Sequence, residues 1–411
     1  MPRKWAVPRH SDFCQIPPPV FSGSIRNWGG RGASLHAGLR LRTLLRILSI
    51  AAMFVLVVGA RAQAATDPAY ILVDVGKGTV LAHSEADRRW APASVTKVMT
   101  AYLTFQALKS GQLKLSSPVV VSANAAKEPP SKMGYKAGTV VTVDNALKML
   151  LVRSANDIAI ALGETVGGSE ANFVRMMNAQ AKRLGMNGTT FRNPNGLPAE
   201  GQYSTARDLA VLARAVWMQF PEYRDYFRIP AISAANKVLR NHNTLVDHYR
   251  GANGMKTGFV CASGFNVVAS ATRNGRTLIA VVLGETSANQ RAVTAAGLLD
   301  KGFAGGSGGM LAQNLSKFRT QPSPTAPANL QAEICGKNRN RGEADTVVAS
   351  LGPRFQTMPP VAVFTGGADA AAPATKGGAG AAPAAAAGGA VNIPLPRPRP
   401  TYPGQASLAP Q

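Results

Sequence analysis

The sequence lacks the residue groupings that bind metal ions. Its 411 residues include three cysteines, Cys14, Cys261 and Cys335, which lie far apart, and the five histidines form no HExxH or similar arrangement. Protein zinc sites ordinarily use closely spaced Cys or His ligands. The sequence therefore predicts no metal site, and it leaves open whether Cys261 and Cys335 pair in a disulfide.

Acidic residues are also scarce. The chain has 45 Lys and Arg residues against 21 Asp and Glu, which gives a formal net charge of +24. No dense Lys/Arg run is interleaved with aromatic residues as in a nucleic-acid groove, so we expect no nucleic-acid partner. A polyanionic cell wall or membrane surface suits this charge better. Hydrophobic residues make up 45% of the chain, which excludes a wholly disordered protein.

The N-terminal region has no apolar run long enough for a membrane-spanning helix. Residues 40–46 are rich in arginine, Ile47–Ala60 is almost wholly apolar, and small residues follow at Ala62–Ala65. A bilayer span needs about 20 apolar residues, whereas this order is typical of a secretory signal peptide. We expect export with residues 40–65 as the signal, cleaved near Ala62–Ala65, and residues 1–39 as an unstructured extension. An uncleaved anchor is the alternative.

The C-terminal quarter lacks the composition of a packed core. From about Ala304 onward Gly, Ala and Pro dominate, and residues 394–400 read Pro-Leu-Pro-Arg-Pro-Arg-Pro. Such a segment cannot bury enough apolar surface to offset its chain entropy. We predict that residues 304–411 form a mostly disordered tail with an unknown partner, in which Leu330–Ser350 has room for a short structured piece.

Residues 66–303 have the pattern of a mixed α/β domain. Predicted strands open and close this region, at Ala69–Val75, Thr79–His83, Phe265–Ala271 and Thr277–Leu283. Helical periodicity fills the middle and the end, at Ser94–Leu108, Asp144–Arg153, Asp157–Val166, Glu170–Leu184, Ala206–Met218 and Ala288–Phe303. This order predicts an α+β fold with one antiparallel sheet and an inserted helical subdomain.

Three short segments carry residues suited to nucleophilic catalysis. Ser94 and Lys97 lie three apart at a predicted helix start and so share a face. A serine hydroxyl needs a base to take its proton, and a buried, neutral lysine can serve. Ser154-Ala155-Asn156 supplies a second hydroxyl and an amide. Lys256-Thr257-Gly258 suits a substrate carboxylate and close approach of a substrate backbone. Each segment alone fits a helix cap, a surface lysine or a turn better than a catalytic role.

Together, in this order and behind an export signal, the segments resemble the SxxK, Ser-x-Asn and Lys-Thr-Gly signature of penicillin-binding proteins and class A β-lactamases. Residues 66–303 look most like the low-molecular-mass D-alanyl-D-alanine carboxypeptidases. Longer stretches read like that family, namely Ala91–Thr100, Arg153–Asp157, Phe191–Leu197, Tyr203–Asp208 and Gly254–Phe259. The resemblance implies a β-lactamase/transpeptidase-like fold.

The resemblance also implies a role for each motif residue. Ser94 would be the acylated nucleophile, Lys97 its general base, and Ser154 and Asn156 the groups that relay protons and position the substrate. Substrate binding would fall to Lys256, Thr257, Gly258 and Phe259, and the backbone N–H groups of Ser94 and Phe259 would form the oxyanion hole. A peptidoglycan stem peptide ending in D-Ala–D-Ala would lose its last D-Ala, β-lactams would act as covalent inhibitors, and no cofactor would be needed.

Several alternatives stay open. A DD-endopeptidase of peptidoglycan crosslinks or a β-lactamase would use the same motifs, and a wall-binding module could keep the fold without activity. Glu164 is the nearest carboxylate after Ser154-Ala155-Asn156, and we interpret it as structural. After Phe303 we find neither the C-terminal β-domain nor the amphipathic membrane helix common in the family. We therefore expect a soluble enzyme of the periplasm or cell envelope, with His242 and His248 on its surface.

Overall fold

The computed structural model describes residues 67–234, 237–305, 313–320, 327–336, 351–355 and 358–366. The predicted N-terminal extension (1–39) and signal peptide (40–65) lie outside the described residues, as does most of the predicted tail. None of the helices in the described ranges is both long and apolar enough to cross a membrane.

Strands and helices follow one another closely along the chain. The strands are β1 Ala69–Asp74, β2 Thr79–Ser84, β3 Pro118–Val120, β4 Val140–Thr142, β5 Ala231–Ala234, β6 Lys237–Arg240, β7 Ala252–Val260, β8 Gly264–Arg273, β9 Arg276–Glu285 and β10 Val361–Ala362. The α-helices are α1 Lys97–Lys109, α2 Ala123–Ala126, α3 Val143–Lys148, α4 Asn156–Gly167, α5 Glu170–Leu184, α6 Ala206–Gln219, α7 Leu245–His248, α8 Ala288–Phe303 and α9 Gln331–Cys335. Two 3₁₀ segments, Ala93–Thr96 and Pro221–Arg228, and a π-helical turn, Met149–Arg153, complete the described set.

A five-stranded antiparallel sheet in the order β2-β1-β9-β8-β7 forms the centre of the molecule. Its strand β9 has an unbroken apolar run because both faces of the sheet are covered. Leu278, Ala280 and Val282 pack in the cluster that includes α8, whereas Ile279 and Val281 pack in the cluster that includes the inserted helices. The sheet therefore joins two hydrophobic cores.

The predicted α+β fold with an antiparallel sheet and a helical insertion is confirmed. The one strand of the sheet that the sequence analysis missed is β7, which carries Lys256-Thr257-Gly258. Its sequence, Ala-Asn-Gly-Met-Lys-Thr-Gly-Phe-Val, contains two glycines and an asparagine, which are residues depleted in strands. Pairing with β8 over most of its length overrides that weak propensity.

Parts of the predicted tail pack on the domain, so the folded region extends beyond Phe303. Isolated large apolar side chains of the tail are buried there, namely Leu315, Phe318, Leu330, Ile334 and Val363. Each of these side chains can be buried singly against the domain, even though the segments around it are rich in Gly and Pro. The open question of cysteine pairing is also answered, because Cys261 and Cys335 form a disulfide across 74 positions of sequence. That bond ties α9 to the turn between β7 and β8.

Candidate active site

Ser94 lies on the 3₁₀ turn Ala93–Thr96 that leads into α1. The turn is fastened to the middle of the sheet by Asn266 of β8, whose side chain is fully buried. Asn266 Nδ2 donates to the carbonyl oxygens of Ala91 at 3.0 Å and Pro92 at 3.3 Å. Its Oδ1 accepts from the Gly284 amide at 3.0 Å. The sheet thus holds in place the segment that leads into Ser94.

Lys97 is fully buried and its amine contacts three oxygens. Nζ lies 2.9 Å from Ser94 Oγ, 2.7 Å from Asn156 Oδ1 and 2.6 Å from the Asn195 carbonyl oxygen. Burial, followed by the charge of Lys256, holds the pKa of Lys97 well below its usual value. A neutral amine has two N–H groups for the two amide-type oxygens and a lone pair for the Ser94 proton. The arrangement is therefore suited to deprotonating Ser94.

Asn156 and Ser154 approach Ser94 from the helical insertion. Asn156 begins α4, and its Nδ2 donates to the Pro129 carbonyl at 2.9 Å, which orients Oδ1 towards Lys97. Ser154 ends the π-helical turn with a left-handed backbone, φ 62°, and its side chain lines the cleft. The next residue of α4, Asp157, accepts from the amides of Met133 at 3.1 Å and Gly134 at 2.8 Å and so holds the loop at the cleft rim.

Lys256, Thr257 and Gly258 lie on β7, opposite the insertion. Lys256 is 2% exposed, and its Nζ donates to the Thr257 carbonyl at 3.0 Å. Burial, helped by the charge of Arg291, lowers the pKa of Lys256 to about 7. A Cβ on Gly258 would lie 3.0 Å from the Ser94 amide nitrogen. Glycine is therefore needed at position 258 because the Ser94 turn packs directly against it. The sequence analysis had explained the same glycine by the close approach of a substrate backbone.

The candidate residues converge on one cleft of about 380 Å³ between β7 and the insertion. The cleft is lined by six of them, Ser94, Ser154, Asn156, Thr257, Gly258 and Phe259. Lys97 and Lys256 lie buried behind this lining. Phe259 is 43% exposed at the rim, with its ring 4.3 Å from that of Phe265. In the parts of the chain that the structure describes, no group of three or more His, Cys, Asp or Glu residues could hold a metal ion.

Comparison with known protein families assigns the chain to one of them. A family model described as D-alanyl-D-alanine carboxypeptidase matches residues 57–287, which is more than half of the 411 residues. The chain belongs to this family. The D-alanyl-D-alanine carboxypeptidase match includes every candidate residue named above.

Individual relatives agree with the family assignment. The chain is 40% identical over 243 residues to D-alanyl-D-alanine carboxypeptidase DacC of Escherichia coli (strain K12), covering 57% of this chain and 60% of the relative. The crystal structure of DacD from Francisella tularensis is 33% identical with a TM-score of 0.56, covering 57% and 70%. Penicillin-binding protein D2 from Listeria monocytogenes in its cefotaxime-bound form is 30% identical with a TM-score of 0.53, covering 57% and 96%. The chain spans about 60% of the length of the carboxypeptidases DacC and DacA of Escherichia coli (strain K12).

The sequence analysis missed two cleft residues of this carboxypeptidase family member, Arg291 and His242. Arg291 on α8 is 5% exposed, and its guanidinium donates to the carbonyls of Asn266 at 3.4 Å and His242 at 3.3 Å. Burial lowers the pKa of Arg291 to about 10. An arginine on the otherwise apolar face of α8 was the available signal.

The predicted surface position is confirmed for His242, which is exposed, and is wrong for His248. His242 lines the cleft. His248 is half-buried, with Nδ1 3.1 Å from the carbonyl oxygen of Gly352 in the C-terminal segment. His248 was misplaced because its burial depends on the packed C-terminal segment that contains Gly352, which the sequence did not show.

Proposed function

We propose that the protein is an exported serine-type D-Ala–D-Ala carboxypeptidase that acts through an acyl-enzyme on Ser94. The observation that carries the proposal is the buried Lys97 amine, with a lowered pKa, 2.9 Å from Ser94 Oγ. Family membership supports the same reaction. The substrate would be a peptidoglycan stem peptide that ends in D-Ala–D-Ala.

Acylation would begin when Ser94 Oγ attacks the carbonyl carbon of the D-Ala–D-Ala bond while Lys97 takes the hydroxyl proton. The negative charge on the substrate oxygen would be stabilised by the backbone N–H groups of Ser94 and Phe259, each such donor being worth about 3–4 kcal/mol of barrier. The peptide C–N bond then breaks, and the proton returns through Ser154 to the departing amine of D-Ala. An ester on Ser94 remains.

Deacylation would repeat these steps with water. Lys97 takes a proton from the water that attacks the ester, and the proton passes to Ser94 Oγ as the shortened peptide leaves. Lys256 and Thr257 would hold the terminal carboxylate of the substrate, a charge-assisted contact that suits a buried cation and hydroxyl. Gly258 and Phe259 would complete the wall along which the substrate lies.

Two features support export. The cysteine pair Cys261–Cys335 is oxidised, as is usual in secreted proteins and rare in reducing compartments. The stretch from residue 40 to 65 has the order of a secretory signal. We propose the periplasm or cell envelope as the site of action.

One of the two related activities is disfavoured by the cleft. A β-lactamase needs a second base to speed deacylation, and Glu164 is not among the residues that line the cleft. Glu164 Oε1 instead accepts from Asn124 Nδ2 at 3.1 Å, as expected for a structural residue. An endopeptidase would use the same catalytic groups as the carboxypeptidase, so a crosslinked substrate must be compared directly.

The test uses the purified chain, a D-Ala–D-Ala pentapeptide and a fluorescent penicillin. We expect D-Ala release and a stable penicillin adduct on Ser94 by intact-mass analysis, and both should vanish in Ser94→Ala. Ser110→Ala, at the far end of α1, is the matched control and should behave as wild type. Activity that survives in Ser94→Ala would refute the mechanism, rapid penicillin turnover would indicate a β-lactamase, and preferential cleavage of crosslinked dimers an endopeptidase.

A further inference from the structure

A second cavity adjoins the cleft and is lined by three cations. It has a volume of about 490 Å³, and its walls include Lys132, Arg153 and Lys237. Lys132 follows Ser131 and Arg153 precedes Ser154, and both serines line the cleft. Neighbouring Cα atoms are about 3.8 Å apart, so this basic groove begins where the cleft ends, on the side of the helical insertion.

No carboxylate among the residues that the structure describes pairs with the cations of the basic groove. Among the described residues, none of the three cations has a carboxylate oxygen within 4.0 Å. Lys132 Nζ donates to the backbone carbonyl of Ala126 at 3.2 Å, a contact that leaves its charge in place. Lys237 is exposed on β6. Unpaired charges of one sign around a concavity attract a ligand of the opposite sign.

The far wall of the groove comes from the C-terminal segment and is firmly held. Val361–Ala362 pairs in parallel with β5, and the Val363 amide donates to Ser233 at 2.9 Å. Asn145 Nδ2 donates to the Phe364 carbonyl at 3.2 Å. Phe364 and Tyr135 add aromatic surface to the groove. The groove is thus a built site that combines cations with apolar contact area.

We propose that the basic groove binds a carboxylate on the acyl side of the substrate, upstream of the bond that is cut. The inference rests on the proposed function, in which Lys256 and Thr257 hold the carboxylate of the departing D-Ala. The remaining peptide must leave the cleft elsewhere, and the groove opens beside Ser131 and Ser154. The ligand is therefore an acidic peptide whose side-chain or α-carboxylate reaches Arg153 and Lys237.

Two matched peptides test the proposal. Both end in Nε-acetyl-Lys–D-Ala–D-Ala and differ only in the preceding residue, which is γ-linked D-Glu with a free α-carboxylate or the same residue with a carboxamide. We expect kcat/KM to be about fivefold higher for the acid, the size of one screened charge pair. Lys237→Gln or Arg153→Gln should remove most of this preference and leave hydrolysis of the amide unchanged. Lys182→Gln, an exposed lysine of α5, is the control for net charge and should keep the preference.

The outcomes separate this proposal from the proposed function. Equal rates for acid and amide in the wild type would overturn the groove assignment and leave the carboxypeptidase intact. Hydrolysis of neither peptide would overturn both. An unaltered preference in both Lys237→Gln and Arg153→Gln would place the carboxylate elsewhere. Equal rates together with inhibition by polyphosphate that depends on Lys237 would assign the groove to a wall polyanion instead of the substrate.

Discussion

Replacing Gly196 by alanine should disturb the candidate base without touching it. Gly196 follows Asn195, whose carbonyl oxygen accepts from Lys97 Nζ at 2.6 Å. Its φ is +84°, and an added Cβ would lie 1.8 Å from the Ala93 carbonyl oxygen and 2.8 Å from Thr96 Oγ1. Both of those atoms belong to the turn that carries Ser94, so the chain must move on both sides of the Lys97 amine.

Two contributions determine the expected loss of stability in Gly196→Ala. A left-handed backbone costs a non-glycine residue about 1–2 kcal/mol, and overpacking of this kind adds about 1–3 kcal/mol. The free energy of unfolding should therefore fall by about 2–5 kcal/mol in Gly196→Ala. Gly185 is the matched control, because its φ is +74° and its Cβ would meet no atom within 4 Å. Gly185→Ala should show the backbone cost alone.

Urea unfolding and the rate of penicillin acylation measure the two effects. Gly196→Ala should lose more stability than Gly185→Ala, and it alone should acylate more slowly, under conditions in which both variants are folded. Equal stabilities of the two variants, together with a wild-type acylation rate in Gly196→Ala, would refute the claim that this contact positions Lys97.

Two further predictions concern charge and covalent structure. Acylation should speed up with rising pH as Lys97 loses its proton, whereas peptide affinity should decline above a pH of about 7, the pKa of Lys256. In Lys256→Arg this decline should disappear from the pH profile of kcat/KM. A decline that persists in Lys256→Arg would argue against the role assigned to Lys256. Cys335→Ser should lower the unfolding free energy by about 2–4 kcal/mol in urea. Reductant should bring the wild type to the same value and leave the variant unchanged, and an unchanged wild type would contradict a stabilising disulfide.

The fold was predictable where hydrophobic period and turn chemistry agree. Several elements have the bounds, or nearly the bounds, that the sequence predicted: the hairpin between β1 and β2, the amphipathic helix Glu170–Leu184 and the helix Ala288–Phe303. Strand β7 was missed because tertiary pairing, rather than local propensity, makes it a strand. In the tail, the short helix Gln331–Cys335 lies within the stretch 330–350 that was expected to hold a structured piece. The packed segments around Leu315, Phe318 and Val363 were missed, because composition averages over the few large residues that anchor them.

The sequence indicated which side chains belong to the candidate site, but it did not indicate which backbone groups contribute to it. Ser94, Lys97, Ser154, Asn156 and the residues of β7 were singled out by the order of three motifs and their resemblance to a family signature, and the structure places them in or directly behind one cleft. The Asn195 carbonyl oxygen, which contacts the Lys97 amine, could not be found, because every residue carries a carbonyl group and only the fold selects one. His242 was missed for a related reason, since its place in the cleft depends on long-range packing.

The attachment of the Ser94 turn to the sheet determines how the protein unfolds. Asn266 bridges that turn and Gly284, so the reactive serine cannot swing away unless hydrogen bonds at the centre of the fold break as well. We therefore expect local opening at this point to require opening of the neighbouring part of the sheet. The Gly284 amide proton, which is donated to Asn266 Oδ1, should accordingly exchange with solvent as slowly as the other amide protons of β9. Thermal inactivation would then report the loss of the central sheet and would be insensitive to fraying at the molecule's periphery.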